Sequence, residues 1–212
     1  MTVANHESMK RHRKAPETRR KEIIDAAIKL FSEQGYARTT TKAIAREAGI
    51  AEGTIYKYFP SKRDLLFAFL TPSVLDPLNA MFAVSEGTED LQVLRAFIRN
   101  RLALWLRNRP LVIAIHSEAL FNRELAEAMK RNIFLPATQM VSAYLARRIA
   151  EGVFRPLNTT VAARALLGQL LVNFFFWDTL YEMGDELSEE TLIDELASLF
   201  LFGALRRPAN PE

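Results

Sequence analysis

The sequence predicts an all-α fold. Apolar residues recur at three- and four-residue spacings along most of the chain, and no stretch alternates polar with apolar. Glycine and proline supply only 8 and 9 of 212 residues. Residues 1–15 lack an apolar period and carry Lys10, Arg11, Arg13 and Lys14, as expected of a flexible basic arm. Pro16 suits the first turn of a helix and Glu17 its positive end. Ile23, Ala27, Leu30 and Phe31 then mark one buried face before Gly35 stops it. Thr40 reads as the cap of a short second helix that buries Ile44, Ala45 and Ala48 and ends at Gly49.

A third short helix is expected over 52–58, with Ile55 and Phe59 turned inward and Pro60 as its stop. Ser61 and Asp64 form a capping-box pattern for a fourth helix over about 62–70. Pro72 and Pro77 are expected to punctuate the chain, and Glu86-Gly87-Thr88 to turn it. Leu91, Leu94, Ile98, Leu102 and Trp105 form an apolar stripe before Pro110. A helical region over about 122–151 is expected to kink near Pro136, and Gly152 and Pro156 mark a turn. The last helices are placed at about 160–181 and 188–205.

Composition excludes several chemistries. With no cysteine there are no disulfides, thiolate nucleophiles or Cys-bound zinc. His6 and His12 lie in the polar arm, so His116 alone would have to supply imidazole chemistry. No nucleophile–base pair or dense carboxylate motif stands out, so no enzymatic activity, cofactor or metal is expected. The longest apolar stretch, 165–177, contains Gln169 and Asn173 and falls short of the roughly 18–20 residues that span a bilayer. A soluble cytoplasmic protein without a membrane partner is the expectation.

Charge is unevenly placed. Residues 1–65 hold 14 Lys/Arg against 8 Asp/Glu, and residues 66–212 hold 14 against 17. A basic first third on an acidic remainder suits a polyanion at the N-terminal end. Two short helices joined at a glycine, after a longer one, form a helix-turn-helix pattern, whose second helix enters the major groove. With Ile55 and Phe59 inward, Gly53, Thr54, Tyr56 and Lys57 face out: room for close backbone approach, two hydroxyls and a cation. Tyr58 and Lys62 extend this surface toward the fourth helix.

Gly35-Tyr36, Thr39-Thr40-Thr41, Ile44-Ala45, Ala48-Gly49-Ile50 and the run from Gly53 through Tyr56-Lys57-Tyr58-Phe59-Pro60-Ser61-Lys62 resemble the N-terminal signature of TetR-family regulators. The resemblance spans about residues 17–65. It implies a three-helix DNA-binding head (16–65), a larger helical effector-binding and dimerisation domain (66–212), and a homodimer on palindromic double-stranded operator DNA. It further implies that Thr41 touches a phosphate and that Lys42 reaches a base edge or phosphate. Glu52, Gly53 and Thr54 would open the recognition helix; Tyr56, Tyr58 and Lys62 would anchor the backbone, with Lys57 facing the groove. Ala51 departs from the pattern, standing where the family usually has a Ser or Thr cap, a loss of about 1 kcal/mol locally.

Beyond the head, Leu166, Leu167, Leu170, Leu171, Val172, Phe174, Phe175, Phe176 and Trp177 lie nearly all round a helix. Leu192, Leu196, Leu199, Phe200 and Phe202 continue the surplus, as if one side packs inside the subunit and the other against a partner. A pocket is expected between the middle helices, with Trp105, His116, Phe121, Met140, Tyr144, Phe175 and Asp178 as candidate contacts for a small effector. Scarce charge there favours a lipophilic or aromatic compound. The expected function is a transcriptional repressor released from its operator by that effector. The alternative is a nucleoid or cell-division DNA-binding factor on the same scaffold, controlled by a protein partner.

Overall fold

The computed structural model describes residues 15–83, 89–177 and 188–205. The arm over 1–14 and the Glu86-Gly87-Thr88 turn lie outside them. Among the described residues the chain is helical, and the only β-type pairing is one antiparallel bridge between Phe154 and Leu205. Helix α1 spans Pro16–Gln34, α2 Thr41–Glu47, α3 Glu52–Tyr58 and α4 Lys62–Ala83. Then come α5 (Asp90–Ala119) and α6 (Arg123–Met129), which continues into a π-helical turn, Lys130–Phe134. Helix α7 is Leu135–Ala150; α8 is Thr159–Leu170, continued by a π-helical segment Leu171–Trp177; α9 is Glu189–Ala204.

The first elements follow the expected signals. Gly35 closes α1 at φ 84°, a left-handed conformation that a Cβ would strain. The Thr40 hydroxyl accepts from the Ala43 N–H at 3.1 Å and caps α2. At the start of α4 the Asp64 N–H donates to the Ser61 hydroxyl, which in turn donates to the Asp64 carboxylate.

Two expectations fail. Pro72 and Pro77 do not break the chain, because α4 runs through both to Ala83. Each proline forfeits a backbone hydrogen bond, a cost of about 3 kcal/mol in a helix interior. What offsets it is burial at both ends: Leu65 and Leu66 sit in one core, Leu78 and Phe82 in the other. The continuous Lys62–Phe82 helix reaches a mean hydropathy of 1.4, apolar and long enough to cross a membrane, contrary to the expectation that no segment is. Its apolarity has a local use, since one helix feeds two cores. Pro110 likewise lies inside α5, and the backbone is non-helical at Asn108 (φ −122°, ψ 18°), whose amide donates to the Leu104 carbonyl at 2.9 Å. The irregularity expected near Pro136 is an interruption of the α-helix by the π-helical turn just before it.

The head core gathers Ile23, Ala27, Phe31, Tyr36, Ile44, Ile55, Phe59, Leu65 and Leu66. It also takes Leu111 and Ile115 from α5, and Leu125 and Met129 around α6. The head is therefore packed onto the body and joined to it by more than α4. The body core is built from α4, α5, α7, α8 and α9. Asp90, 11% exposed, accepts from the Tyr144 hydroxyl and receives a bidentate Arg148 fork at 2.7 Å on each oxygen, tying the start of α5 to α7. Arg95–Asp194 (2.8 Å) and Arg99–Glu190 (2.6 Å) hold α9 along α5.

Candidate nucleic-acid interface and body cavity

Helix α3 is fixed from beneath by Ile55, fully buried, and Phe59, 2% exposed. Seven residues give it fewer than two turns of internal bonding, so this packing must orient it. Its outer face carries Gly53, Tyr56 and Lys57, all exposed, with Thr54 half-buried. Ala51 supplies no side-chain cap; only a backbone bond from the Thr54 N–H to the Ala51 carbonyl (2.9 Å) closes the first turn. In place of a cap, the Thr41 hydroxyl donates to Glu52 at 2.6 Å and lies 3.1 Å from the Tyr56 hydroxyl. These bonds lock the start of α2 to α3 and set the angle between them. Lys42 is exposed beside them, and Arg46, which the sequence reading passed over, lines the same surface groove.

Tyr58 is half-buried against the head core. Lys62 is turned inward. Its ammonium donates to the carbonyls of Tyr36 (2.7 Å), Thr39 (2.9 Å) and Ala37 (3.3 Å), and sits 4.2 Å from the centre of the Tyr36 ring. Burial lowers its pKa from the ordinary lysine value, against the pull of Glu118. All three of its donors are engaged in holding the loop between α1 and α2 against α4. Lys62→Met should therefore destabilise the free protein by about 1–3 kcal/mol, read as a lower melting temperature without DNA. An unchanged melting temperature would leave Lys62 free for a phosphate.

Gly53 is not demanded by the fold. A Cβ built there meets nothing within 4 Å, and its backbone is not left-handed. The missing side chain instead leaves clearance outside the helix. Gly53→Leu should change the stability by no more than about 0.5 kcal/mol while abolishing DNA binding. Retained binding would show that no duplex approaches this face.

In the body, a cavity of about 420 Å³ lies among α4, α5, the π-helical turn, α7 and α8. Leu78, Trp105, Ile133, Phe134, Leu171 and Phe174 are among its apolar lining, with Arg101, Lys130 and Arg164. Of the expected pocket residues, Trp105 lines it. His116 lies behind the wall: its Nδ1 is 2.9 Å from the Val112 carbonyl, its ring meets Phe134 edge-on, and burial lowers its pKa. Met140 and Tyr144 border a separate cleft of about 240 Å³ with Arg147. Phe121 is 92% exposed near the end of α1. The Phe175 side chain and Asp178 lie outside the described residues.

Residues 23–69 match the family model of the bacterial regulatory proteins, tetR family. Residues 92–201 match that of the AefR-like transcriptional repressor, C-terminal domain. The chain is 28% identical over 158 residues to the nucleoid occlusion factor SlmA of Vibrio cholerae, covering 72% of this chain and 80% of that protein. Over 63 residues it is 57% identical to the HTH-type transcriptional regulator HbdR of Aromatoleum sp., covering 30% and 27%. Its fold resembles Thermus thermophilus FadR, a TetR-family repressor solved in complex with lauroyl-CoA: TM-score 0.67, 26% identity, 91% of this chain and 98% of that one.

Proposed function

The chain belongs to the TetR family of DNA-binding transcriptional regulators, and on that premise we propose that it is a homodimeric repressor, released from a palindromic operator by a small lipophilic effector. The observation that carries this reading is where the cavity lies. Ile133 and Phe134 in its wall belong to the π-helical turn that directly follows Met129 of the head core. A ligand seated there presses on a segment continuous with the head, and on α4 through Val74 and Leu78. The acyl-CoA in Thermus thermophilus FadR supports a lipophilic class. Thr41, Lys42, Tyr56 and Lys57 are assigned to DNA, with Glu52, Gly53, Thr54, Tyr58 and Lys62 shaping or supporting that surface. Val161, Val172, Leu199 and Phe202, 47–70% exposed on the last helices, are assigned to the dimer contact.

The similarity to SlmA supports a second, less favoured reading, a nucleoid or cell-division DNA-binding factor controlled by a protein partner. One experiment separates the two. An operator selected in vitro is bound to the protein, and a panel of acyl and aromatic compounds is added. Salt-sensitive, sequence-selective binding undone by one of them supports the repressor. Binding that no compound disturbs supports the second reading.

A further inference from the structure

The cavity wall pairs an apolar surface with three cations, two of which, Arg101 and Arg164, have no carboxylate partner among the described residues. Arg101 enters it from α5, on the same stripe as Phe97 and Trp105. Its guanidinium donates to the Val74 carbonyl at 2.9 Å and to the Asn100 side chain. Those bonds aim it, yet both acceptors are neutral. Among the described residues, neither second Nη hydrogen has an acceptor and no carboxylate lies within ion-pair reach of Arg101. Burial pushes the Arg101 pKa down to about 10, so the fold bears the cost of desolvating this cation without an anion to offset it. Arg164, exposed on α8, also has no carboxylate partner among the described residues, and Lys130 pairs with Glu127 at 3.8 Å. Among the described residues, no Asp or Glu lines the cavity.

Resting on the effector reading above, we infer that the ligand is an amphiphilic anion: an apolar chain or ring among Leu78, Trp105 and Phe174, with its anionic end held by Arg101 and the rim cations Lys130 and Arg164. An anion in the cavity takes up the idle guanidinium hydrogens and supplies the absent counter-charge. A neutral lipophile leaves Arg101 as it is. Two sources share this chemistry, a free fatty acid and a fatty acyl thioester of coenzyme A. A free acid places its carboxylate at Arg101. The thioester turns its carbonyl oxygen to Arg101 and places its phosphates outside, at Lys130 and Arg164.

The test titrates laurate, lauroyl-CoA and neutral dodecanol into the full-length protein, read by calorimetry. At least one anion should bind about tenfold tighter than dodecanol. Arg101→Met should erase the preference for laurate while leaving dodecanol unchanged, and Arg101→Lys should keep part of it. If lauroyl-CoA is the preferred anion, its advantage should instead fall in Lys130→Ala/Arg164→Ala. Thermal melts confirm that each variant is folded. If all three bind alike, or if the preference survives every variant, the charge assignment is overturned while the lipophilic cavity stands. If none of the three binds, the acyl-effector reading falls together with the inference.

Discussion

Placing aspartate at both Leu199 and Phe202 should turn the protein into a monomer and weaken operator binding by about two to four orders of magnitude. The two side chains are three residues apart on one face of α9, 68% and 70% exposed in the single chain. They do not serve the body core, which α9 reaches through Ile193, Leu196, Ala197 and Leu201. The substitutions should therefore leave the fold of one subunit intact. In an isologous contact each charge appears twice, and an unpaired charge sealed in an interface costs about 3–5 kcal/mol. The loss in DNA affinity follows from geometry, since two heads must engage half-sites about one helical turn apart. Sedimentation velocity alongside operator titration reads both effects. A stable dimer carrying both aspartates would move the contact elsewhere.

The second large effect belongs to the recognition surface. Tyr56→Ala with Lys57→Ala should abolish tight operator binding, the first by removing a backbone anchor and the second a groove contact, each costing about 1–3 kcal/mol per head and counting twice in a dimer. Stability should change little, because both side chains are exposed and α3 is held by Ile55 and Phe59. Tyr56→Phe is the finer probe. It keeps the ring and deletes the hydroxyl that lies 3.1 Å from Thr41, so a loss there reports the tie between α2 and α3 rather than contact area. Operator titration with the wild-type and variant proteins checks both, and unchanged binding by the double variant would refute the recognition-surface assignment.

The head was legible because its signals are local. Gly35, the Thr40 cap and the Ser61–Asp64 box each act within four residues, and the inward pair Ile55 and Phe59 shares one turn of helix. The inward bonding of Lys62 was not legible. Its carbonyl partners lie 23–26 residues earlier, and nothing in the local pattern separates a lysine that pins a loop from one that meets a phosphate. Pro72 and Pro77 misled for a related reason, since local propensity marks a break that burial at both ends of α4 overrides.

In the body, hydrophobic periodicity identified faces without saying which neighbour each face meets. Trp105 lines the cavity, whereas Tyr144, on an equally apolar pattern, is committed to Asp90 and a different cleft. One signal was present and unused. Arg101 falls four residues after Phe97 and four before Trp105, a cation on an otherwise buried stripe. The uncapped start of α3 was readable from Ala51 alone, but the Thr41–Glu52–Tyr56 bonds that compensate for it join positions 11 and 15 apart.

In the proposed repressor, the cavity and the DNA-binding surface share one equilibrium. Two physical routes connect them: α4, and the α6–π-turn segment that contributes to both the head core and the cavity wall. The most direct measurement titrates laurate or lauroyl-CoA, whichever binds tighter, into the free protein and into the protein–operator complex. The account predicts weaker ligand binding to the complex by about 5- to 150-fold, and an equal loss of operator affinity in the ligand-saturated protein. Equal ligand affinities in the two titrations would contradict it.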